Sequence, residues 1–457
     1  MATTLGTELH SSKQIQTLLD NLVEQVVSYS QRIRGVQDPM PELAPALKSS
    51  IDAIGVVRSR PLYYNYVGSG VGRGPYVELE DGSVKLDLIN GIGIHMFGHS
   101  HPRVVRATLA GALSDIVQQG NLQPNGEYLA YSQKLGQLAA RKSRLKHVWL
   151  ATCGTMANEN ALKMCRQKKS GEKMILTFKN AFAGRSTMMT EITDNPAFKV
   201  GMPDYHEILR LPFYDPKAPA DQTLRVMQDH VAKHEGKIGC FVFEPMLGEG
   251  GYRAATREFY LPLLDFCKSK GIPIWADEIQ TFTRTGEFFA FETYGIGEYI
   301  DICTVAKVGQ NGATLFTEDM KPDPGLLGGT FSGSSPALSA GLEIFKMLDE
   351  DGYMGPQGKV MQIHKEFVGM LNELNDSTCK GLLREAGGLG LMVAVTPLDG
   401  SKEKQGLLTK ALFKNGLICF GCGNNPWRIR FLLPAILTSA DIAVAKKIIE
   451  KSILELA

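Results

Sequence analysis

The chain has 457 residues, and its 49 Lys and Arg against 48 Asp and Glu give a formal net charge of +1 at pH 7. A general nucleic-acid binder would carry a basic excess, so this balance argues against that class. No run approaches the ~18 uninterrupted apolar residues of a membrane span, and the first residues, MATTLGTELHSSKQ, lack the basic region and apolar core of a secretory signal. Eight cysteines are too sparse for a disulfide framework, so we expect a soluble, cytoplasmic protein.

The N-terminal third alternates between helical and hairpin patterns. Apolar residues at helical spacing predict an amphipathic helix over 9–35, and a second helical run follows at 42–56. Asp81-Gly82 separates two strand-like runs, which predicts a two-residue hairpin turn. Two further helices are predicted over 102–119 and 126–142.

From residue 147 onward, short apolar runs alternate with helical patterns, which predicts an α/β fold with a mostly parallel central sheet covered by helices on both faces. A smaller α+β part follows, with a long helix from about 335. We expect a helical segment over 1–65, a large domain over 66–335 and a small domain over 336–457. The predicted strands are 147–151, 173–178, 240–245, 273–278, 301–307, 386–396 and 427–435.

Two charged residues that end apolar strands suggest chemistry. Lys307 ends DICTVAK and Asp277 ends IPIWAD. Burial lowers the pKa of a lysine amine and frees its lone pair to react with an aldehyde, although a lysine at a strand end more often reaches solvent. An aspartate in this position is most often a helix cap. Together the two residues suit pyridoxal phosphate, whose aldehyde a lysine holds and whose ring nitrogen an aspartate keeps protonated.

The segment Cys153-Gly154-Thr155 lies between a predicted strand and a predicted helix. Backbone N–H groups at a helix start bind anions, and a glycine lets a phosphate approach closely. An ordinary strand–helix turn would have the same sequence features.

The chain resembles the class III pyridoxal-phosphate aminotransferases of fold type I, the group of acetylornithine, ornithine and 4-aminobutyrate aminotransferases. The resemblance runs from about Tyr76 to Pro434. Many segments that follow one another in the family's order carry this resemblance together, and no single segment would be specific enough. They are YVELEDGSVKLDLINGIGIHMFGHSHP, CGTMANENALK, AFAGRS, EPMLGEGG, WADEIQTFTRTGEFFAFE, TVAK, GGTFSG and RIRFLLP.

This resemblance implies a role for each matching residue around the cofactor. Lys307 would bind the cofactor's aldehyde and later move a proton between substrate and cofactor, and Asp277 would pair with the pyridinium nitrogen. The other contacts would be made by Gln280 at the phenolic oxygen, Ile279 and Phe182 on the two ring faces, and Gly154 and Thr155 at the phosphate.

The resemblance also implies how substrates and a second subunit bind. Arg430 would hold the α-carboxylate of a 2-oxo acid, and Glu249 would neutralise Arg430 when the amino donor lacks that group. Arg185 would bind the donor's distal carboxylate. A guanidinium suits these roles because it can hold a carboxylate through two parallel hydrogen bonds. Thr330 would reach the phosphate of the neighbouring subunit, which implies a homodimer with shared active sites.

Four departures from the family pattern surround the predicted site. Cys153 stands where serine is usual, Met156 where an acidic residue is usual, and Ala183 where histidine is usual. The loop after Lys307 is shortened to VGQNGATLF. These changes bear on the substrate more than on the chemistry.

The leading hypothesis is therefore transfer of an amino group from an ω-amino donor to a 2-oxo acid, with 2-oxoglutarate as the expected acceptor, by a ping-pong mechanism. An aminomutase, racemase or decarboxylase on the same site stays open, as does a catalytically silent binding protein. The pair Glu249 and Arg430 favours transamination, because it would serve two alternating substrates.

Three weaker signals are set aside. His99 and His101 have no third ligand at helpful spacing, so no metal site is predicted. Cys419 and Cys422 form a lone CxxC without a second pair. The run GSGVGRG resembles a phosphate loop only loosely, because no GK[ST] follows it.

Overall fold

The computed structural model describes residues 2–115, 118–120 and 122–457. They form two compact units: Met1–Leu113, Lys359–Gly387 and Leu391–Ala457 make up unit 1, and Ser114–Gly358 and Gly388–Gly390 make up unit 2. Residues 66–113 belong to unit 1 because a strand at residues 84–87 pairs in parallel with one at residues 417–418. The division into 1–65, 66–335 and 336–457 stays a prediction.

The helices and helical turns follow the chain in this order: α1 (Leu5–Ser11), α2 (Lys13–Ser30), α3 (Ala44–Val57), α4 (Asn90–Gly93), α5 (Pro102–Gly111), α6 (Gly126–Ala139), α7 (Gly154–Lys168), α8 (Met189–Ile192), α9 (Gln222–Lys233), α10 (Arg257–Ser269), α11 (Ala290–Thr293), α12 (Ser335–Glu350), α13 (Lys359–Asp376), α14 (Lys402–Lys414) and α15 (Ser439–Leu454). None of these described helices is both long and apolar enough to cross a membrane.

The strands are β1 (Gly68–Arg73), β2 (Tyr76–Leu79), β3 (Val84–Asp87), β4 (Gln118–Gln119), β5 (His147–Ala151), β6 (Met174–Phe178), β7 (Glu207–Leu211), β8 (Ile238–Phe243), β9 (Met246–Leu247), β10 (Arg253–Ala254), β11 (Ile274–Asp277), β12 (Ile302–Val305), β13 (Gly312–Phe316), β14 (Gly333–Ser334), β15 (Leu383–Leu389), β16 (Met392–Pro397), β17 (Leu417–Ile418), β18 (Phe420–Cys422) and β19 (Arg428–Leu432).

Unit 2 is built on a seven-stranded sheet of order β5-β13-β12-β11-β8-β6-β7. Strand β13 runs antiparallel to β5 and β12, and the other neighbouring strands are parallel. The predicted fold class, a fold type I arrangement with a mostly parallel sheet, is confirmed.

Alternating side chains of β8 pack on opposite faces of this sheet. Cys240 and Val242 join a buried cluster with Leu162 of α7. Phe241 and Phe243 stack on the other face with ring centroids 5.2 Å apart, and Phe243 contacts Tyr260 of α10 at 5.4 Å. Helices therefore cover both faces, and the strand is apolar throughout because neither face meets water.

Unit 1 contains two four-stranded sheets, β1-β2-β3-β17 and β15-β16-β19-β18. The predicted hairpin around Asp81-Gly82 is confirmed, with β2 and β3 antiparallel and Gly82 at φ 74°. Its predicted two-residue turn was too short, because β2 ends at Leu79 and β3 begins at Val84.

Three predicted elements were wrong in extent. The helix over 9–35 is α1 and α2, because Ser12 leaves the helical conformation at ψ 121°. The helix over 102–119 ends at Gly111, with strand β4 at its predicted end, and positions 116 and 117 lie outside the described residues. The strand over 386–396 is divided between β15 and β16, because Gly390 takes a left-handed conformation at φ 56°. Hydrophobic periodicity does not detect such single-residue breaks.

Candidate active site

The carboxyl ends of the parallel strands of unit 2 carry most of the predicted site residues. Strand β5 leads into Gly154 and Thr155, β6 into Phe182, β8 into Glu249, β11 ends at Asp277, and β12 is followed by Lys307. Because parallel strands share one carboxyl edge, these segments meet there, and this edge is where open α/β sheets bind ligands.

Asp277 is a buried carboxylate held on both oxygens. The backbone N–H of Ile279 donates to Oδ1 at 3.1 Å, and Asn158 Nδ2 donates to Oδ2 at 2.7 Å. Burial raises the pKa of Asp277 to about 6, while these two hydrogen bonds and the positive charge of Lys307 lower it. Asp277 is therefore ionised at neutral pH and can pair with a protonated ring nitrogen.

Lys307 begins a short 3₁₀ turn one residue after β12 ends, and its side chain is half-buried rather than fully buried. It takes a left-handed conformation at φ 56°, which is uncommon for a residue with a side chain. Tyr131 Oη donates a 2.8 Å hydrogen bond to the carbonyl of Gly309 at the end of this turn. Asp277 and Thr304 are register partners on β11 and β12, so Lys307 follows the strand next to Asp277.

The predicted phosphate segment lies at the first turn of α7. Cys153 occupies the N-cap, and within the described part of the chain its side chain makes no hydrogen bond to the helix, so it does not cap the first N–H groups. A Cβ on Gly154 would lie 2.8 Å from Ile279 Cδ1, so any side chain at this position would have to displace Ile279. Helix-start N–H groups beside a glycine form a cradle for an anion.

Phe182 is half-buried on the loop after β6. Its ring meets Phe198 edge-on at 6.4 Å, and its backbone N–H donates to Glu244 Oε1 at 2.9 Å. Glu244 also accepts from the N–H of Gly248 at 3.0 Å, and burial raises its pKa to about 8. Glu244 thus ties the Phe182 loop to the loop that carries Glu249.

Gln280 lies between two polar side chains. Gln280 Nε2 donates to Glu249 Oε1 at 3.5 Å, and Tyr252 Oη donates to Gln280 Oε1 at 3.3 Å. Gln280 is buried and Glu249 half-buried. The structure therefore brings together two residues to which the sequence assigned different partners.

Arg185 and Thr330 are exposed on unit 2. The Arg185 guanidinium lies over the Phe198 ring, 3.9 Å from its centroid. Thr330 lies in the segment before β14. Arg430 belongs to unit 1, on strand β19, where its side chain is 1% exposed.

Sequence reasoning missed Asn158 and Glu244. Asn158 Nδ2 donates to both Asp277 Oδ2 and the carbonyl of Ala183, each at 2.7 Å, and so links two strand-end loops. The sequence could have indicated Asn158, because it lies one helical turn after Gly154 on the helix face that also carries Ala161. Glu244 follows directly after the apolar strand β8, the same signal that identified Asp277.

The residues of the three weaker motifs have structural roles outside the predicted site. His99 Nε2 lies 3.0 Å from Asp87 Oδ2, and Cys419 and Cys422 are buried thiols. The run GSGVGRG contains the whole of strand β1 and the glycine that follows it. Among residues 2–115, 118–120 and 122–457, no group of three or more His, Cys, Asp or Glu could hold a metal ion.

The carboxyl edge of unit 2 fits pyridoxal phosphate. It offers an amine at Lys307, a buried carboxylate at Asp277, and a helix start beside Gly154 shaped so that a Cβ would fill it. An aldehyde, a ring nitrogen and a phosphate each find a chemically suitable partner.

Fold and site together define a fold type I pyridoxal-phosphate-dependent enzyme. The structure of the lysine aminotransferase from M. tuberculosis matches with a TM-score of 0.79 at 20% identity, over 89% of this chain and 100% of that one. An amine transaminase from an uncultivated Pseudomonas species matches with a TM-score of 0.74 at 21% identity, over 84% and 94% of the two chains.

The sequence profile of aminotransferase class III matches residues 63–453, and the chain belongs to this family, whose members are pyridoxal-phosphate-dependent aminotransferases. The 2-aminoadipate transaminase of Pseudomonas putida is 31% identical over 84% of this chain and 95% of its own length. The probable 4-aminobutyrate aminotransferase of Bacillus subtilis is 29% identical over 81% of this chain and 89% of its own.

Proposed function

We propose that this aminotransferase moves an amino group from an ω-amino donor to a 2-oxo acid, with 2-oxoglutarate as the acceptor, in two successive half-reactions at one site. The donor is of the acetylornithine, ornithine, lysine or 4-aminobutyrate type. Relatives named as 4-aminobutyrate and acetylornithine aminotransferases support this donor class. The observation that carries the proposal is the pairing of a buried carboxylate with a lysine charge at the ends of neighbouring parallel strands.

In the proposed mechanism each residue has one task at the cofactor. Pyridoxal phosphate, when bound, supplies an electron-withdrawing ring that stabilises negative charge on the substrate carbon. Lys307 Nζ would hold the cofactor's aldehyde and would carry the proton that moves at the substrate carbon. Asp277 would keep the ring nitrogen protonated, because its buried carboxylate is ionised at neutral pH. The residues that would hold the ring are Gln280, Ile279 and Phe182, and those that would hold the phosphate are Gly154 and Thr155.

Three charged residues bind the substrates in this proposal. Arg430 holds the α-carboxylate of the 2-oxo acid, and Arg185 holds the distal carboxylate of the donor. Glu249 supplies a compensating negative charge when the donor has no α-carboxylate. An arginine and a glutamate that act in alternate half-reactions would let the enzyme accept two substrates of different charge in turn.

We further place the protein in the cytoplasm as a homodimer in which Thr330 reaches the neighbouring subunit's cofactor phosphate. The exposure of Thr330 is compatible with this contact. Sedimentation equilibrium and an activity assay under the same conditions would test the shared site. A monomer that is fully active would exclude it.

The decisive experiment is the visible absorption spectrum of the purified enzyme, recorded before and after each candidate amine. We expect a yellow cofactor band that one ω-amine bleaches and 2-oxoglutarate restores. A band that every candidate leaves unchanged would contradict the proposed donor class and favour a racemase, decarboxylase or aminomutase. Absence of a band after addition of pyridoxal phosphate would overturn the role of Lys307.

A further inference from the structure

Arg430 has an aromatic neighbour across the sheet. Strand β19 lies between β16 and β18, and Phe420 of β18 is the register partner of Arg430. The guanidinium carbon of Arg430 lies over the Phe420 ring, 5.3 Å from its centroid. A cation within about 6 Å of a ring centroid is attracted by the ring's electrons, and more strongly when both groups are shielded from water.

The Phe420 ring is itself held by other aromatic side chains. Its centroid lies 4.9 Å from that of Tyr63, which meets Tyr64 edge-on at 4.8 Å. Tyr64 stacks on Phe413 at 4.7 Å, and Tyr64 Oη donates a hydrogen bond to the carbonyl of Cys419, the residue before Phe420. Burial raises the pKa of Tyr64, so its hydroxyl stays protonated and keeps this bond. These contacts leave the ring little freedom to turn.

We propose that Phe420 is a positioning residue that presents the Arg430 guanidinium to the carboxylate of the 2-oxo acid. The proposal rests on the role proposed for Arg430 above. An aromatic ring contacts the flat face of a guanidinium, whereas a carboxylate binds the N–H groups along its edge. The two contacts therefore do not compete, and the ring reduces the number of arginine conformations that must be lost when the acid binds.

The position of Phe420 predicts that this residue affects binding of the acceptor and not binding of the donor. A donor that enters with its ω-amino end brings no carboxylate to Arg430, whose charge Glu249 compensates in this proposal, so donor binding needs no carboxylate contact oriented by Phe420. Phe420 thus acts on one of the two substrates only, which a general packing role would not do.

The test compares Phe420→Leu with Phe413→Leu, whose ring belongs to the same aromatic cluster but stacks on Tyr64. For Phe420→Leu we expect KM for 2-oxoglutarate to rise about 5- to 30-fold, the loss of one cation–ring contact to a buried arginine. Calorimetric Kd for glutarate, an unreactive dicarboxylate, should rise by a similar factor. The rate at which the donor bleaches the cofactor band should stay unchanged. Phe420→Tyr keeps the ring face and should restore acceptor KM and glutarate affinity.

The outcomes separate this inference from the proposed function. If the wild-type band responds to an amine and to 2-oxoglutarate but Phe420→Leu keeps normal acceptor KM and glutarate Kd, the positioning role is wrong. The same holds if Phe413→Leu raises acceptor KM equally, or if donor and acceptor constants rise together. If no amine bleaches the wild-type band, the proposed function fails instead, and glutarate affinity still reports whether Phe420 orients Arg430.

Discussion

At the scale of single residues, the charge on Asp277 depends on a neighbour outside the predicted site. Asn158 stabilises the ionised carboxylate through a 2.7 Å hydrogen bond to Oδ2. Burial acts in the opposite direction and raises the pKa of Asp277 to about 6. The carboxylate therefore ionises near the lower end of the physiological pH range. The hydrogen bond from Asn158 helps to set the pKa at which it does so.

We expect Asn158→Ala to shift the acid limb of the pH–rate profile to higher pH. Without the hydrogen bond the neutral form of Asp277 is favoured, so its pKa rises and the working ionised form is lost at a higher pH. Steady-state rates between pH 5 and 9 would measure the shift. Asn160→Ala changes a buried asparagine on the same helix that is not a hydrogen-bond donor to Asp277 and serves as control. Profiles that coincide would show that Asn158 does not tune Asp277.

At the scale of elements, helix α12 supports the turn that carries Lys307. A Cβ on Gly341 of α12 would lie 2.3 Å from the carbonyl oxygen of Gly309 and 2.7 Å from Tyr131 Cε2. The helix backbone therefore packs directly against the turn, and no larger side chain fits between them.

Gly341→Ala should destabilise the protein by about 1–3 kcal/mol, because the added methyl must push the helix from the turn. It should also weaken retention of the cofactor by displacing Lys307. Gly369→Ala is the matched control, since Gly369 lies in α13, is exposed, and has open space around its Cβ position among the described residues.

In Gly369→Ala the free energy of unfolding should rise by up to about 1 kcal/mol, as alanine favours a helix over glycine. Urea unfolding and dialysis against cofactor-free buffer measure the two effects. An unaltered stability of Gly341→Ala would contradict the tight packing of α12 on this turn.

At the scale of the whole molecule, several buried carboxyls along the carboxyl edge make stability depend on pH. Glu278 is fully buried and accepts the N–H groups of Ala290 and Phe291, each at 2.8 Å. Burial outweighs these bonds and raises its pKa to about 7. A raised pKa means that the folded protein prefers the protonated form, so the stabilising contribution is complete below about pH 4 and is lost as pH rises through 7.

Glu278→Gln should therefore flatten the pH dependence of stability of the cofactor-free protein. Glutamine cannot ionise, so the loss on the order of 2 kcal/mol between pH 5 and 8 should shrink, even if the variant is less stable at pH 5. Thermal unfolding at several pH values measures this. Parallel curves for variant and wild type would show that Glu278 does not titrate in this range.

Five of the seven strands of the large sheet could be predicted, because each is a short apolar run. Strands β7 and β13 were not predicted, and β13 lies within VGQNGATLF, which was wrongly taken as a loop after Lys307. Asp277, Lys307 and the segment Cys153-Gly154-Thr155 were identified by their positions at strand ends, and the resemblance added the other site residues. Asn158 and Glu244 were not found, because their role depends on which loops lie beside them rather than on their own strand or helix pattern. The helix break at Ser12 and the turn at Gly390 were missed because each depends on the backbone conformation of a single residue, which a hydrophobic pattern does not report.

The sequence by itself determined the family, the cofactor and the residue types available for the chemistry, because local hydrophobic patterns and ordered motifs are properties of neighbouring positions in the chain. Only the tertiary structure decided that Asn158 holds Asp277, that Gln280 contacts Glu249, that α12 packs against the Lys307 turn, and that Phe420 lies under Arg430. These contacts join residues 10 to 119 positions apart, and only the packing of strands and helices brings such residues to within hydrogen-bonding or ring-contact distance.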